Sequence, residues 1–459
     1  LSVQPETPPA QDCALDADVV IAGAGAAGLA AGIPASSDGA KVIILEKQGI
    51  TGGATARSGG KFLAAGTTWQ AAQGIEDDAD QMYDYLMQVG GDYLNADKVR
   101  IFCDHATETL AWIEDMGAVM KDVEPIHSSL NPWRVHNAYG AGGMTSGHGG
   151  QYTVPMTNKF TELGGQIIYN ATATEILTDE GGAACGLIAR TAEGGTLTVN
   201  ASAVVLATGG YAQNKELMAA IPSAAGSTTS VPKGNLGDGL TMARALGAKV
   251  YLPDYTQVVY CSMTCGVGIN EEAGLIVNAR GERVANEYTY QYHVSDQIAK
   301  SGCAWGWYIA CPDDPNMTVQ YGLSLDSTLK ADSVEALAGL MEVDPATLTA
   351  TVDRYNELCQ AGEDADFGKP ADKMLALSGP VYAAIRMNPA VTVTYGGLDT
   401  DTASRVLRDD GTAIPGLYAA GEVAFTGLFG TEYPCCGMAI GSAAYYGRVA
   451  GREAAALAR

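Results

Sequence analysis

The chain has 459 residues, and its 27 lysines and arginines against 52 aspartates and glutamates give a formal net charge of −25. Because phosphates attract basic surfaces, so acidic a chain is a poor candidate for nucleic-acid binding. Apolar residues make up 47 %, which argues against intrinsic disorder, and no run of about 18 apolar residues is present to span a membrane. The 57 glycines indicate many close backbone approaches, as around a large cofactor.

Residues 1–17 contain three prolines and few large apolar side chains, which predicts an extended N-terminal tether outside the fold. Such a start is typical of a processed exported protein, so we expect an extracytoplasmic rather than a cytoplasmic location. The ten cysteines show no Cys-x-x-Cys spacing, so no iron–sulfur or zinc site is predicted. Cys261 and Cys265 could join a cluster or a disulfide, but buried thiols are the expected arrangement.

The first predicted element is a short buried strand at residues 19–22, which leads through a Gly-x-Gly-x-x-Gly turn into a helix. The first glycine permits the turn, the second lets the backbone approach a pyrophosphate, and the third lets the helix pack on the strand. A second strand at residues 41–45 ends at an acidic residue about 20 positions later, where an acceptor for ribose hydroxyls belongs. Pro34 should kink or shorten the helix. The predicted nucleotide-binding residues are Gly23, Gly25, Ala26, Ala27, Gly28, Glu46 and Lys47.

The loop at residues 51–60, TGGATARSGG, follows directly and consists of small and hydroxyl side chains. Such a loop can pass close under a large planar cofactor, which favours FAD over NAD. The candidate cofactor contacts in it are Gly53, Ala54, Thr55, Ser58, Gly59 and Gly60.

From residue 18 onward the chain resembles the flavoprotein superfamily of fumarate reductases, succinate dehydrogenase flavin subunits and 3-ketosteroid dehydrogenases. The resemblance is carried by the two glycine-rich stretches above and by the stretches at 207–211 (ATGGY), 237–239 (GDG), 281–287 (GERVANE), 396–399 (GGLD) and 414–422 (IPGLYAAGE). It implies FAD as the cofactor. It also implies further cofactor contacts at Ala173, Thr208, Gly209, Gly210, Asp238, Gly421, Glu422, Met438, Ala439 and Ile440.

The same resemblance implies an α/β fold, in which a Rossmann-like FAD-binding domain of the second glutathione-reductase type carries an inserted α+β capping domain. The FAD-binding domain would comprise residues 18–251 and 379–459, and the cap residues 252–378. The alanine-rich segment 438–457 would form a helix whose N-terminus faces the flavin and stabilises negative charge on it.

Features that hold a dicarboxylate in the fumarate-reducing members are missing. Those members carry a His-Pro-Thr triplet early in the cap, an Arg-Asp pair after the Asn-Glu, a His-Thr stretch before the Gly-Gly, and a late Asn-Arg-Leu-Gly-Gly-Asn stretch. Here Gln291 stands in place of the arginine, and Tyr395 precedes the Gly-Gly. Because glutamine lacks the charge and the bidentate fork of arginine, a fumarate or succinate enzyme is not expected.

The late motif, residues 433–437 (YPCCG), instead resembles the 3-ketosteroid dehydrogenase branch. That resemblance implies that the Tyr433 phenol and the Gly437 backbone N–H both bind a substrate carbonyl oxygen. Two such hydrogen bonds polarise a conjugated C=C bond and stabilise an enolate, while hydride passes between flavin N5 and the β-carbon. A buried core tyrosine is the competing interpretation of Tyr433.

A cap tyrosine would exchange the second proton in that branch. Tyr290 and Tyr292 flank the matching position, so we predict one of them as the acid or base, Gln291 as an orienting group and His293 as the alternative proton donor. Since Tyr288, Tyr290 and Tyr292 alternate, a packed aromatic strand face is an equal competitor.

The leading functional hypothesis is an FAD-dependent reductase of a bulky neutral enone, such as a 3-ketosteroid or a plant-derived lactone. The same site run in reverse would be a 3-ketosteroid dehydrogenase. No second nucleotide-binding unit with a Gly-x-Gly turn between a strand and a helix is evident, so we expect a cytochrome, quinol or flavin protein of the cell envelope, and not NAD(P)H, as the redox partner. No metal is predicted.

Two alternatives remain open. A reductase of aryl-acrylate acids such as hydroxycinnamates would need a carboxylate anchor, for which Arg57, Arg134 and Arg386 are candidates. A non-enzymatic electron-transfer flavoprotein is the other alternative, although such a protein has no need of polar phenols in its cap.

Overall fold

The computed structural model describes residues 11–126, 130–139, 148–224, 226–262, 267–268, 274–289, 291–315 and 317–459. In the first half of the chain, strands β1 to β11 are, in order, Cys13–Asp16, Val19–Ala22, Val42–Leu45, Lys61–Leu63, Met120–Ile126, Leu130–Ala138, Gln166–Ile168, Ala171–Thr178, Ala184–Thr191, Thr196–Asn200 and Ala203–Leu206. Helices α1 to α6 are Ala26–Ser37, Gly53–Arg57, Thr68–Ala72, Ala79–Gly90, Ala96–Glu114 and Gly150–Glu162.

In the second half, strands β12 to β22 are Thr228–Thr229, Val250–Tyr251, Gln257–Ser262, Val267–Gly268, Leu275–Asn278, Gly306–Ala310, Leu329–Ala331, Tyr382–Val393, Gly397–Leu398, Arg405–Leu407 and Ala413–Ala419. Helices α7 to α13 are Lys215–Met218, Asp238–Arg244, Gln291–Lys300, Met317–Ser324, Val334–Met341, Pro345–Ala361 and Met438–Leu457. Within these residues, no helix is both long and apolar enough to cross a membrane.

The central sheet has the strand order β21-β22-β11-β2-β3-β7, and β22, β11, β2, β3 and β7 run parallel. Every residue of β2, β3 and β11 is buried, as expected of parallel strands covered on both faces. Alternate residues of β2 enter two different hydrophobic cores, Val19 and Ile21 on one face and Val20 and Ala22 on the other. The predicted Rossmann-like α/β architecture is confirmed.

One face of this sheet is covered by α1 and α13, which pack closely together. A Cβ atom on Gly447 would collide with the backbone oxygen of Ala27, and one on Gly451 with that of Ala31. Glycine at these two positions therefore allows the two helices to approach each other. Pro34 does not end α1, because the helix continues to Ser37.

A four-stranded sheet, β1-β10-β9-β8, covers the other face. Its edge strand β1 comes from residues predicted to belong to the N-terminal tether. Cys13 pairs with Leu197 in parallel, and the side chains of Cys13 and Leu15 pack against the core. The tether prediction is therefore wrong for residues 13–16. Partly buried and exposed side chains alternate along this segment, so it can pair as an edge strand with one face on the core. Residues 1–10 lie outside the described part of the chain.

The segment predicted as the cap forms a second sheet, β15-β14-β19-β17-β16, with β12 and β18 also pairing with β19. Helices α9 and α10 pack on one face of it, and α11 and α12 on the other. The long strand β19 starts after the predicted limit at residue 378, yet it pairs with the strands of residues 257–310. The domain limits 18–251, 252–378 and 379–459 stay a prediction.

None of the nine cysteines that the structure describes forms a disulfide bond. Cys261 is one of them and is buried, whereas Cys265 lies outside the described residues.

Candidate functional site

A cleft opens where β2, β3 and β11 end. The carboxyl ends of parallel strands are where α/β sheets bind their ligands. The cleft is lined by residues that the sequence had indicated as cofactor contacts: Gly23, Gly25, Ala26, Ala27, Glu46, Lys47, Gly53, Ala54, Thr55, Ser58, Ala173, Thr208, Gly209, Asp238, Gly421, Glu422, Ala439 and Ile440.

The other candidate contacts, Gly28, Gly59, Gly60, Gly210 and Met438, are not among the lining residues. Most of them shape the backbone behind the cleft. A Cβ on Gly28 would collide with the Gly23 carbonyl, and one on Gly210 would collide with Thr394 and Glu422. Gly60, with a φ of +70°, accepts a hydrogen bond from the Tyr152 hydroxyl at 2.9 Å. Met438 is fully buried as the first residue of α13.

Sequence reasoning missed several residues of the cleft. Some of them end a strand or follow one, so the position of the strands could have indicated them: Ala22, Leu45, Ala207 and Ala420. The rest carry no local motif or are brought in from distant parts of the chain: Gln48, Ala171, Thr172, Pro232, Gly234, Asn235, Thr392, Val393, Phe425 and Ala443.

Glu46 is held in a fixed orientation beside the cleft. One carboxylate oxygen accepts a hydrogen bond from the Ala24 amide at 2.7 Å, and the other accepts one from the Gln48 amide at 2.8 Å. Burial raises the pKa of Glu46 despite these two bonds. Next to it, Lys47 Nζ lies 2.8 Å from Asp238 Oδ2. An acceptor and an ion pair are thus fixed at the end of β3.

A second carboxyl group, that of Glu422, lines the same cleft. Glu422 is far from Glu46 in sequence and follows β22. Its Oε1 accepts hydrogen bonds from the Thr394 amide at 2.7 Å and from the Thr394 hydroxyl at 2.8 Å. Burial raises the pKa of Glu422, while these bonds and those from Asn235 and Gly210 act in the opposite direction.

Three features of the cleft fit a dinucleotide cofactor. Helix α1 begins there at an N-cap, Gly25, that provides no side-chain hydrogen bond, so its first N–H groups are open to an anion. A Cβ on Gly25 would meet nothing within 4 Å, which leaves room beside the backbone. The buried Thr208 hydroxyl has no hydrogen-bond partner among the described residues. A bound group with polar atoms would satisfy these donors.

Tyr433 lies in the loop just before α13, within a stack of aromatic rings. Its ring centroid is 5.8 Å from that of Phe429, with 3° between the planes, and Phe429 stacks in turn on Tyr395 at 5.0 Å. Burial raises the pKa of Tyr433 well above its ordinary value, and the adjacent backbone amides of Ala439 and Gly437 lower it by less. The phenol therefore stays protonated and able to donate at any working pH.

Gly437 has a φ of +94° and is the N-cap of α13, where it contributes no side-chain hydrogen bond. A Cβ there would lie 2.6 Å from the Leu63 amide nitrogen and 2.6 Å from the Phe62 carbonyl carbon. Glycine is therefore required for this left-handed turn against β4. The turn brings the amides at the start of a 20-residue helix beside the Tyr433 phenol.

The predicted proton-donor segment is only partly described. Tyr290 lies outside the described residues, and for Gln291 and Tyr292 the structure gives the backbone at the start of α9 but not the side chains. Their roles stay predictions. His293 Nε2 lies 3.6 Å from Glu432 Oε1. Glu432 is the residue directly before Tyr433 in the sequence.

A buried charge cluster in the cap leads into this segment. Arg283 makes bidentate contacts with both Glu287 and Asp364 at 2.8–3.1 Å, and Lys369 Nζ lies 3.4 Å from Glu287 Oε2. Glu287 is 1 % exposed. Because removing one member of such a cluster would leave a buried charge unpaired, the cluster fixes the chain just before α9.

The three arginines considered as carboxylate anchors already have contacts. Arg134 is buried in a bidentate pair with Asp77, with both N–O distances at 2.7 Å. The exposed side chain of Arg386 stacks over the Trp305 ring at 4.1 Å. Arg57 is exposed and its Nη1 lies 3.4 Å from the Ser230 carbonyl.

Comparison with known proteins shows the family. The FAD binding domain family matches residues 18–440. The chain is 33 % identical to the fumarate reductase (cytochrome) of Shewanella frigidimarina, over 95 % of this chain and 77 % of that protein. It is 31 % identical to the urocanate reductase of Eggerthella lenta, over 96 % and 75 %. The solved structure of 3-ketosteroid-Δ4-(5α)-dehydrogenase from Rhodococcus jostii RHA1 with 4-androstene-3,17-dione is 28 % identical, with a TM-score of 0.78 and coverage of 96 % and 97 %.

These findings agree with the cleft and its glycine-rich lining, and they set aside the non-enzymatic alternative. The chain belongs to the FAD binding domain family and is an FAD-dependent oxidoreductase, related to the fumarate reductases, that acts on a carbon–carbon double bond.

Proposed function

We propose that this enzyme reduces the C=C bond of a bulky, uncharged α,β-unsaturated carbonyl compound. The observation that carries the proposal is the position of the Tyr433 phenol beside the Gly437 and Ala439 amides at the N-terminus of α13, where both amides donate to the phenol oxygen. Tyr433 and Gly437 do not themselves line the cleft, but Ala439 and Ile440, at the same helix end, do. Phenol and amide donors grouped in this way can bind a developing oxyanion once a substrate oxygen takes the place of the amides' present acceptor.

FAD, when bound in the cleft and reduced by two electrons from a redox partner, would supply the hydride that adds to the β-carbon of the substrate. The cradle for its phosphates would be the start of α1, with Glu46 available to the ribose hydroxyls. Tyr433 and Gly437 would bind the carbonyl oxygen while the electrons of the conjugated C=C bond move towards that oxygen. The enolate then collapses as the α-carbon takes a proton from a cap side chain, for which Tyr290, Tyr292 and His293 are the candidates.

The surroundings of Tyr433 favour an apolar substrate. Tyr395, Phe429 and Tyr433 stack in line, and Tyr255 and Phe425 pack on the same group of rings. Arg134, Arg57 and Arg386 each have other contacts, and Arg134 is already paired with a carboxylate. A neutral ring system is therefore a better match than a dicarboxylate or an aryl-acrylate anion.

The reverse reaction, dehydrogenation of a saturated ketone, is the second candidate. It uses the same groups, since an oxyanion hole that stabilises an enolate serves both directions. The relative solved with 4-androstene-3,17-dione is called a dehydrogenase and is 28 % identical over nearly the whole of both chains. We propose a cytochrome, quinol or flavin protein as the electron partner, which accords with a relative called fumarate reductase (cytochrome).

The test is to photoreduce the purified FAD-loaded enzyme without oxygen and to add single compounds while the flavin absorbance is followed. The panel contains 4-androstene-3,17-dione, an enone lactone, a hydroxycinnamate, urocanate and fumarate. We expect rapid return of the oxidised spectrum with a neutral enone. Reoxidation by fumarate or urocanate alone would overturn the proposal, and reoxidation by the hydroxycinnamate alone would favour the aryl-acrylate alternative.

A further inference from the structure

A buried ion pair and a partly buried tyrosine connect the segment just before α4 to the Tyr433 loop. We call Asp77, Arg134 and Tyr85 the brace. Arg134, in β6, binds Asp77 through two parallel contacts, Nε to Oδ2 and Nη2 to Oδ1, each 2.7 Å long. The two side chains are 2 % and 0 % exposed. A bidentate pair removed from water in this way has a fixed orientation.

The brace continues through an aromatic ring to the active-site loop. The Arg134 guanidinium carbon lies 5.6 Å from the ring centroid of Tyr85, which is on α4. The Tyr85 hydroxyl donates a hydrogen bond to the carbonyl oxygen of Pro434, 349 positions away in sequence. Pro434 directly follows Tyr433, so the bond holds the backbone of the loop at its functional residue.

The loop needs such support from outside. Residues 431–437 form neither helix nor strand, and Pro434 has no N–H group with which to hold its own backbone. Yet donors in an oxyanion hole must lie about 2.7–3.1 Å from the oxygen they stabilise. A displacement of about 1 Å can lower the rate about 100-fold.

We propose that Tyr85, oriented by Arg134 and Asp77, is a positioning residue that sets the Tyr433 phenol and the Gly437 amide for the substrate carbonyl. This inference rests on the proposed function of Tyr433 and Gly437. It also gives Arg134 a role different from that of a carboxylate anchor, since its fork is occupied by Asp77 on the protein's own chain.

The experiment uses Tyr85→Phe, which removes only the hydroxyl, in the FAD-loaded enzyme. Its matched control is Tyr83→Phe, on the same helix, where the ring packs under the Arg100 guanidinium at 4.8 Å. Hydrogen–deuterium exchange is measured for the peptide covering residues 431–440. Steady-state kcat and KM are measured with the neutral enone that the wild type reduces fastest.

We expect Tyr85→Phe to speed exchange in this peptide and to lower kcat about 10- to 100-fold with less than a threefold change in KM. The content of FAD and the melting temperature should stay at the wild-type level, and Tyr83→Phe should match the wild type throughout. Arg134→Lys, which keeps the charge but loses the fork, should give the same exchange pattern.

Unchanged exchange and unchanged kcat in Tyr85→Phe would overturn the inference, as would a general loss of FAD or of thermal stability. Tyr433→Phe separates this result from failure of the proposed function. If Tyr433→Phe is impaired while Tyr85→Phe is not, the proposed function stands and the brace has no positioning role. If Tyr433→Phe turns over enones normally, the proposed function fails, and the exchange result alone decides whether Tyr85 holds the loop.

Discussion

The Nε2 atom of His293, in the first turn of α9, lies 3.6 Å from Oε1 of Glu432, the residue just before Tyr433. This contact joins the segment predicted as the cap to the loop proposed to bind the substrate carbonyl. Both side chains are partly exposed, so solvent protons have access to the pair. Whether His293 is charged therefore affects both the contact and the supply of protons near the site.

The pKa of His293 should respond to its neighbours with predictable signs. Burial lowers it, Glu432 and Asp296 raise it, and Lys300 lowers it. We expect Glu432→Gln to lower the pKa of His293 further, because a negative neighbour favours imidazolium. Lys300→Gln should have the opposite effect. With five histidines in the chain, proton NMR titration of the imidazoles can follow the group, assigned through His293→Gln. An unchanged titration in Glu432→Gln would mean that the contact is absent in solution.

Tyr433→Phe removes a proposed oxyanion donor without changing the shape of the ring. We expect kcat for a neutral enone to fall about 100- to 1000-fold, while bound FAD stays unchanged. Tyr418→Phe is the control, since that hydroxyl donates a 3.5 Å hydrogen bond to the Glu453 carbonyl. Steady-state kinetics measure the effect, and a full wild-type kcat in Tyr433→Phe would contradict the proposed role.

Gly437→Ala should lose stability as well as activity. Its φ of +94° strains any L side chain, and the new Cβ would lie 2.6 Å from the Leu63 amide. The backbone strain alone should destabilise by about 1–2 kcal/mol, and the collision adds to it. Gly247→Ala separates the two effects, because its φ is +78° but its Cβ would meet nothing within 4 Å. Denaturant unfolding of both variants should show the larger loss for Gly437→Ala; equal losses would mean that the collision is relieved at no cost.

Gly25→Ala and Gly28→Ala should fail in different ways. A Cβ atom on Gly25 would point into open space in the cleft, where the cofactor is expected. The alanine variant should therefore fold but bind less FAD. Gly28 faces the Gly23 carbonyl inside the protein, so its alanine variant should fold poorly. The ratio of flavin to protein and the circular dichroism spectrum distinguish these outcomes. Normal flavin content in folded Gly25→Ala would contradict the assignment of the cradle.

His136 should make the protein less stable in acid. It is fully buried, its Nε2 lies 2.8 Å from the Thr67 hydroxyl and its Nδ1 3.0 Å from the Arg134 carbonyl, and burial lowers its pKa to about 4. Because the unfolded chain takes up this proton near pH 6.5 and the folded chain only near pH 4, stability is complete above 6.5 and falls as the pH drops through this range. The loss should reach about 3 kcal/mol.

Urea unfolding at pH 7 and at pH 4.5 measures this loss. His136→Gln should flatten the pH dependence between these two values. An identical pH dependence in His136→Gln would show that another group accounts for the acid sensitivity.

The sequence by itself determined the parts of this protein that depend on local backbone geometry. The turn at residues 23–28 needs glycines whatever the rest of the chain does, since Gly23 has a φ of +104° and Gly28 packs against it. Gly437 likewise needs to be glycine because its φ is +94°. These positions stand in short contiguous motifs, and such motifs, together with the family resemblance that they carry, predicted the α/β fold, the FAD cofactor and most of the cleft lining.

Only the tertiary structure decided which distant residues meet. Thr392 and Val393 reach the cleft because β19 ends there, and Tyr85 reaches Pro434 because α4 packs beside the loop. The composition of residues 13–16 predicted a tether. They form a strand instead, because they pair with β10 at the edge of its sheet. Packing between segments far apart in sequence sets these contacts, and no local pattern of residue types encodes that packing.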